Sequence, residues 1–260
     1  MPRYKLVIEY AGTRYSGWQI QKNARTVQGE LYRAVHVATG REAREIYGAG
    51  RTDAGVHAIG QVAHLDLGAP VDPGHLRHAI NDALPHDIVI TGCERTAPRF
   101  HARHSAVARW YLYQVAARKS AFGKPFVWWV KDAIDLERLE RAIGRLGGRH
   151  DFRAFSQRDD EDGSTLVEID RVQAEVAGDL LLIRVAGSHF LWRMVRRLVG
   201  VLVAIGIGDL PMKELDRLLD GSDSPIPARL TAPASGLFLE RVLYEGDAPD
   251  APLLPVVRLG

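Results

Sequence analysis

Residues 50–58 read Gly-Arg-Thr-Asp-Ala-Gly-Val-His-Ala, and this stretch decides how the whole chain is interpreted. It places one carboxylate, Asp53, two residues after Arg51 and two residues before Gly55. Glycine accepts backbone angles that other residues avoid, so a sharp turn is predicted here. Such a turn can hold the carboxylate beside a guanidinium, which keeps it ionised at neutral pH, as a nucleophile requires. The alternative is an ordinary turn in which the aspartate bonds its own backbone.

The length and composition are those of an ordinary globular protein. The chain has 260 residues, of which 46% are hydrophobic and 25% charged, so it has room for one large domain or two of modest size. A net charge of +2 does not mark a nucleic-acid binder, although local clusters can. The longest apolar run, 198–207, is shorter than the roughly 20 residues that span a bilayer, and residues 1–4 are not followed by the long apolar stretch expected of a signal peptide. We therefore expect a soluble, cytoplasmic protein.

The hydrophobic pattern predicts two α+β halves. Thr26, Asp72 and Asp135 are placed to cap helices, and Ser188 is expected to cap a long, centrally buried helix that ends near Ile207. The N-terminal half follows a β-α-β-β-α-β order, with strands at 3–10, 44–49, 61–67 and 87–95. Further strands are predicted at 109–117, 166–176, 179–186 and 236–244, with a short helix at 211–220. The predicted domains are 1–104, with the Asp53 loop, and 105–245, followed by an extended surface tail at 246–260.

A second cluster mixes basic and aromatic side chains between residues 100 and 111. Aromatic faces stack on nucleobases and arginines bind phosphates, so Phe100, His101, Arg103 and Arg109 are candidates for contact with nucleic acid. Alternation along the strand predicts that Tyr111 lines a site while its neighbour Trp110 enters the core. The alternative is a hairpin held together by aromatic packing.

Arginines also form two clusters in the C-terminal half. Arg193, Arg196 and Arg197 lie on the most apolar helix, and because buried arginine is costly unless paired, at least one should meet a carboxylate or a phosphate. The alternative is a basic stripe on the surface. The other cluster consists of basic residues, and it is expected to be a solvated helix face or, alternatively, a track that binds phosphates: Arg141, Arg145, Arg149, His150, Arg153 and Arg158. The acidic run that follows it, 159–162, should point away from any bound RNA because like charges repel.

No cofactor or metal signature is present in the sequence. The ten histidines form neither a His-x-Glu nor a His-Glu-x-x-His pattern, and no Walker or dinucleotide glycine fingerprint occurs. The single cysteine, Cys93, excludes an internal disulfide and a Cys-rich zinc site. We expect no cofactor and no metal.

Taken together, the chain resembles the tRNA pseudouridine synthase A family. The resemblance extends to about Leu243 and is carried, in order, by residues 9–19, 26–31, 50–58, 100–103, 194–200 and 232–239. It implies an α+β pseudouridine synthase fold: two ferredoxin-like (RRM-like) halves joined through a central, mostly antiparallel sheet. It also implies a cofactor-free homodimer that acts on uridines 38, 39 or 40 in the anticodon stem-loop of tRNA. The segment 167–171 departs from the family pattern, which puts loop contacts around 156–170 in question.

The resemblance implies a role for each matching residue. Asp53 would be the nucleophile, Arg196 would pair with it, and Tyr111 would stack on the uracil and act as the late base. Arg51 would assist base flipping. The remaining expected substrate-binding residues are Thr52, Gly55, His57, Phe100, His101, Arg103, Arg109, Arg193 and Leu237.

Two other classes of protein remain open. The first is a non-catalytic RNA-binding protein of tandem RRM-like halves, but binding alone gives no reason for a poised nucleophile. The second is a carboxylate-dependent glycosidase or nucleosidase, which usually needs two carboxylates where this chain offers one in a catalytic setting.

Overall fold

The computed structural model describes residues 1–156 and 163–259. By its internal contacts the chain divides into a first unit, Met1–Val107 with Phe238–Ala248, and a second unit, Ala108–Leu237 with Pro249–Gly260. The last strand thus returns to the first unit and the tail to the second. The domain boundaries after residues 104 and 245 stay a prediction.

The order of helices and strands follows the predicted pattern closely. The N-terminal part contains β1 Arg3–Tyr10, α1 Val27–Thr39, β2 Glu45–Gly48, β3 His57–Asp66, α2 Pro73–Ala83 and β4 Ile88–Thr96. The remainder contains β5 Ala106–Ala116, β6 Trp128–Trp129, α3 Leu136–Ile143, β7 Gly148–Asp151, β8 Leu166–Ala177, β9 Leu180–Gly187, α4 Met194–Gly206, α5 Met212–Leu219, α6 Ile226–Arg229 and β10 Leu237–Tyr244. The predicted β-α-β-β-α-β order of the N-terminal half is confirmed.

Three predicted helix caps are confirmed by their hydrogen bonds. The Thr26 side chain accepts from the backbone N–H of Gly29, and α1 ends at Gly40 in the left-handed conformation, φ 64°. The Asp72 side chain caps α2, which has proline at its first position, and the Asp135 side chain caps α3. These caps satisfy backbone donors that the first turn leaves unpaired.

The first unit is a mainly antiparallel sheet with the strand order β4-β1-β3-β10. Strand β1 pairs antiparallel with β3 and β4, β2 pairs antiparallel with β3, and β10 pairs parallel with the start of β3, where Phe238 lies opposite His57. Helices α1 and α2 pack against each other, and α2 packs on β4. Buried apolar side chains from the strands and helices form the core: Leu6, Ile8, Leu31, Val35, Leu76 and Ile80.

The second unit is an antiparallel sheet with the order β5-β9-β8-β7, to which β6 adds a short parallel pairing with β5. Helix α4 is buried along its whole length except at Arg196, as its apolar sequence predicted, and it packs against α3 and α6. At Gly200 a Cβ atom would lie 1.7 Å from the Leu230 carbonyl oxygen, so only glycine fits this helix contact. The α+β class with mainly antiparallel sheets is confirmed.

The predicted start of α4 at Ser188 is wrong. The helix begins at Met194, with Arg193 at the N-cap. The hydroxyl of Ser188 pairs with His189 Nδ1 at 3.0 Å, and its carbonyl accepts from Arg109 at 2.7 Å. Because residues 188–193 are not helical, Ser188 lies too far before Met194 to cap α4.

The tail is extended, as predicted, but it is also held to the second unit by hydrogen bonds. Arg184 donates to the carbonyl oxygens of Ala251 and Pro252, at 2.9 and 2.8 Å. The backbone N–H of Val256 donates to Gln114 Oε1 at 2.7 Å. Leu253 is buried as well. Polar side chains of the second unit thus replace the strand partners that the tail lacks.

Candidate active site

Asp53 lies on the loop that connects β2 to β3 in the first unit. The backbone N–H of Val56 donates to the Asp53 carbonyl at 3.1 Å, and Gly55 takes a positive φ of 79°. The sharp turn predicted from the glycine is therefore present. Arg51 is exposed, Thr52 is buried and Asp53 is half-buried, so a carboxylate stands on a turn whose base is packed into the protein.

Backbone hydrogen bonds join this loop to the segment that follows β1. The N–H of Trp18 donates to the Thr52 carbonyl at 3.0 Å, and the N–H of Gly55 donates to the Tyr15 carbonyl at 3.2 Å. Trp18 and Tyr15 are themselves buried. Two rigid anchors therefore flank Asp53 and define the position of its backbone.

Side chains add two more links beneath the loop. The Tyr10 hydroxyl and Thr52 Oγ1 share a hydrogen bond of 2.8 Å. Nδ1 of His57 accepts from the backbone N–H of Gly12 at 3.0 Å, and the His57 ring stacks on Phe238 with centroids 4.8 Å apart. His57 is buried. Its observed contacts thus support the loop, and its substrate-binding role stays a prediction.

Two glycines allow the close approach of these segments. A Cβ atom on Gly12 would lie 1.9 Å from the Val56 carbonyl oxygen, and one on Gly17 would lie 2.5 Å from that of Thr52. Gly17 also has a φ of 93°, which L side chains rarely adopt. These residues were not among the predicted site residues, although their place in the stretch 9–19 was a usable signal.

The segment between β4 and β5 carries Phe100, His101 and Arg103. Phe100 packs against Tyr244 with ring centroids 5.0 Å apart. Nδ1 of His101 accepts from the backbone N–H groups of Arg103 and His104, at 3.2 and 3.3 Å. Burial, followed by the neighbouring histidines, lowers the pKa of His101. The two rings therefore shape the turn, while Arg103 stays exposed.

In the second unit, Tyr111 lies on β5 and is 9% exposed. Its ring meets Phe190 edge-on, with centroids 5.2 Å apart and planes at 88°. Trp110 enters the core as predicted, and Tyr113 is fully buried with its hydroxyl donating to the Pro233 carbonyl at 2.7 Å. Burial raises the pKa of Tyr113. Arg109 and Leu237 are buried too.

The arginines at the start of α4 are in three different environments. Arg193 has a φ of 63°, which makes it the sole non-glycine with positive φ in the described parts of the chain. Arg196 is half-buried and donates through Nε to the Ala232 carbonyl at 2.8 Å. Arg197 is 7% exposed, and its Nε is buried without a hydrogen-bond partner in the described parts of the chain. Burial, followed by Arg193 and Arg196, lowers the pKa of Arg197.

The strain at Arg193 makes a prediction about stability. A left-handed conformation costs a non-glycine residue roughly 1–2 kcal/mol, so Arg193→Gly should raise the free energy of unfolding by about 0.5–1 kcal/mol after the entropy cost of glycine. Denaturant titration measures the change. The matched control is Arg141→Gly, inside α3, where the same change should cost about 1 kcal/mol. Equal losses in both variants would contradict the strain argument.

The remaining basic cluster is partly neutralised. Arg145 pairs with Asp216 at 3.1 Å and Arg153 with Asp151 at 3.6 Å, both on the surface. These pairs favour the solvated helix face over the phosphate track. Arg158 and the acidic run 159–162 lie outside the described residues. Within residues 1–156 and 163–259, no group of three or more His, Cys, Asp or Glu side chains could hold a metal, and no helix could cross a membrane.

Comparison with known proteins gives the class and the family to which this chain belongs. A family model described as tRNA pseudouridine synthase matches residues 6–105 and 142–245. The chain is 39% identical over 251 residues to tRNA pseudouridine synthase A of Maricaulis maris, covering 95% of this chain and 100% of that protein. It is 41% identical over 255 residues to tRNA pseudouridine synthase A of Methylobacterium nodulans, covering 97% of this chain and 100% of that protein.

The chain belongs to the tRNA pseudouridine synthase family. The resemblance predicted from its motifs is confirmed, and so is the class of enzyme, an isomerase that makes pseudouridine in tRNA. A non-catalytic RNA-binding protein and a glycosidase are both disfavoured by this membership.

Proposed function

We propose that this chain converts uridine to pseudouridine at positions 38, 39 or 40 of the tRNA anticodon stem-loop, with Asp53 as the nucleophile. The observation that carries the proposal is the Asp53 turn, which is anchored by hydrogen bonds to Tyr15 and Trp18 on both sides of the carboxylate. A turn that served only to reverse the chain would not need such support. Preorganised geometry of this kind is what a nucleophile requires.

The reaction itself is an isomerisation with balanced bonds. The C1′–N1 bond of uridine breaks, the uracil rotates, and a C1′–C5 bond forms. The catalytic base then removes the proton from C5, and N1 gains a proton from solvent. The Asp53 carboxylate adds either to C6 of the uracil or to C1′, and it is released intact at the end. No electron is gained or lost and no water is consumed, so the chemistry has no step that calls for a redox cofactor.

Other residues have separate roles in this proposal. Arg196 keeps the carboxylate charged and Arg51 stabilises the flipped-out uridine. Tyr111 stacks on the uracil and, with help from a neighbour or water, removes the C5 proton, since a phenol with a pKa of about 10 is a weak base alone. Arg103, Arg109 and Arg193 bind phosphates. The homodimer and the cytoplasmic location belong to the same proposal.

The direct test is incubation of the protein with unmodified tRNA, followed by mapping of pseudouridine at single-nucleotide resolution. Pseudouridine at one or more of positions 38–40 is the expected result. Pseudouridine only at other positions would refute the site assignment, and its complete absence would refute the activity.

Changing Tyr111 to phenylalanine should keep the stacking surface and slow the final proton transfer by about 10²–10⁴-fold. Single-turnover assays on tRNA labelled at uracil C5 measure that step by release of the label. The matched control is Tyr113→Phe, which removes a hydroxyl bonded to the Pro233 carbonyl and should affect stability instead. Full turnover by the Tyr111 variant would eliminate the phenol as the base.

A further inference from the structure

Arg197 is a buried cation for which the described residues offer no counter-charge. It lies in the first turn of α4, 7% exposed, with Nε buried and unpaired. No carboxylate in the described parts of the chain forms an ion pair with it. A buried charge without a partner destabilises the folded protein, whereas the apolar side chains of the core stabilise it.

Another buried arginine in the same unit, Arg184, has a structural role and makes the hydrogen bonds that such a role requires. Arg184 is 1% exposed, but its guanidinium donates to the carbonyls of Ala251 and Pro252 and stacks on Trp110 at 4.9 Å. Its hydrogen-bonding groups hold the tail in place. Arg197 has no comparable set of acceptors, so packing alone does not account for its presence.

The surroundings of Arg197 add positive charge instead of cancelling it. Arg193 and Arg196 are the charged groups that act on it, and both disfavour its protonated form. Helix α4 is 13 residues long and has no side-chain cap, so its N-terminal N–H groups add the positive end of the helix dipole. Arg196 already donates to the Ala232 carbonyl, so Arg193, Arg197 and the helix N-terminus are the groups that favour an anion here.

We propose that Arg197, together with Arg193 and the N-terminus of α4, binds a backbone phosphodiester of the RNA substrate. The proposal rests on the proposed function, because tRNA is the polyanion that this family acts on. A phosphate oxygen beside the guanidinium would supply the negative charge that offsets the cluster. Arg197 is thus a substrate-binding residue adjacent to Arg196 on the same helix. Its buried charge lowers the stability of the free protein.

The first test compares tRNA affinity across salt concentrations for the wild type and Arg197→Gln. Each lost phosphate contact should reduce the slope of log affinity against log salt by about 0.7–0.9. We expect that reduction in the variant, and no reduction in the matched control Lys213→Gln, which removes an exposed charge on α5. A wild-type slope in Arg197→Gln would overturn the proposal.

The second test uses thermal unfolding, which a merely structural arginine would affect in the opposite direction. In phosphate-free buffer, Arg197→Met should unfold at the same or a higher temperature than the wild type, whereas Arg184→Met should unfold at a lower one. Added inorganic phosphate should raise the unfolding temperature of the wild type and of Arg184→Met more than that of Arg197→Met. Destabilisation of Arg197→Met with an unchanged phosphate response would overturn the proposal.

These outcomes are separable from those of the proposed function. Failure of the wild type to form pseudouridine would refute the activity, while the salt slope and the phosphate response would still test the anion site. Normal pseudouridine formation with an unchanged slope in Arg197→Gln would refute the anion site alone.

Discussion

Replacing Asp53 by alanine should abolish pseudouridine formation while leaving tRNA affinity close to that of the wild type. The loss should be on the order of 10⁴-fold or more, because the proposed mechanism uses this carboxylate as its nucleophile. Affinity should persist because it depends on phosphate and stacking contacts that lie elsewhere. Release of label from uracil C5 measures the chemistry, and a filter-binding titration measures the affinity.

The matched control for this variant is Asp82→Ala, which removes an exposed carboxylate on α2. It should release label at the wild-type rate. Normal release by the Asp53 variant would rule out the nucleophile role. A loss of affinity as large as the loss of rate would show that Asp53 serves binding instead of chemistry.

The second large effect is expected at Gly12, which makes no direct contribution to the chemistry. In Gly12→Ala the new Cβ would lie 1.9 Å from the Val56 carbonyl oxygen, so the loop that carries Asp53 must move by more than 1 Å. A misplacement of that size costs about 10²-fold in rate. We therefore expect a fall in kcat of about that size, with the affinity for tRNA less affected.

Gly68→Ala is the matched control, because a Cβ at Gly68 would meet no atom within 4 Å. It should keep the wild-type rate and stability. If the Gly12 variant is as active as this control, the close approach of the segment after β1 to the Asp53 loop is not needed for catalysis. Thermal unfolding of both variants separates a displaced loop from a protein that fails to fold.

Short-range chemistry made much of the fold predictable. The caps at Thr26, Asp72 and Asp135 and the glycine turn at Gly55 each depend on groups only a few residues apart. The burial of α4 followed from its apolar sequence in the same way. Features without a local signal were missed: the short strands β6 and β7, and helix α6, which contains only four residues.

The error at Ser188 shows where local signals fail. A serine before an apolar run is a good cap candidate by sequence, but residues 188–193 are not helical, and the Ser188 carbonyl accepts from Arg109, far away in the chain. The tail is a similar case, since its hydrogen bonds to Arg184 and Gln114 cross long sequence separations. Competition between distant partners is invisible in a local pattern.

Residue types and their spacing were enough to single out Asp53, its turn and the family to which the chain belongs, because motifs, caps and periodicity are properties of neighbouring residues. Only the tertiary structure showed that Gly12 and Gly17 allow the Asp53 loop to pack closely and that His57 supports it. It also showed that Nε of Arg197 is buried with no hydrogen-bond partner among the described residues. Close approach and burial depend on segments that meet only in three dimensions, so no local pattern specifies them.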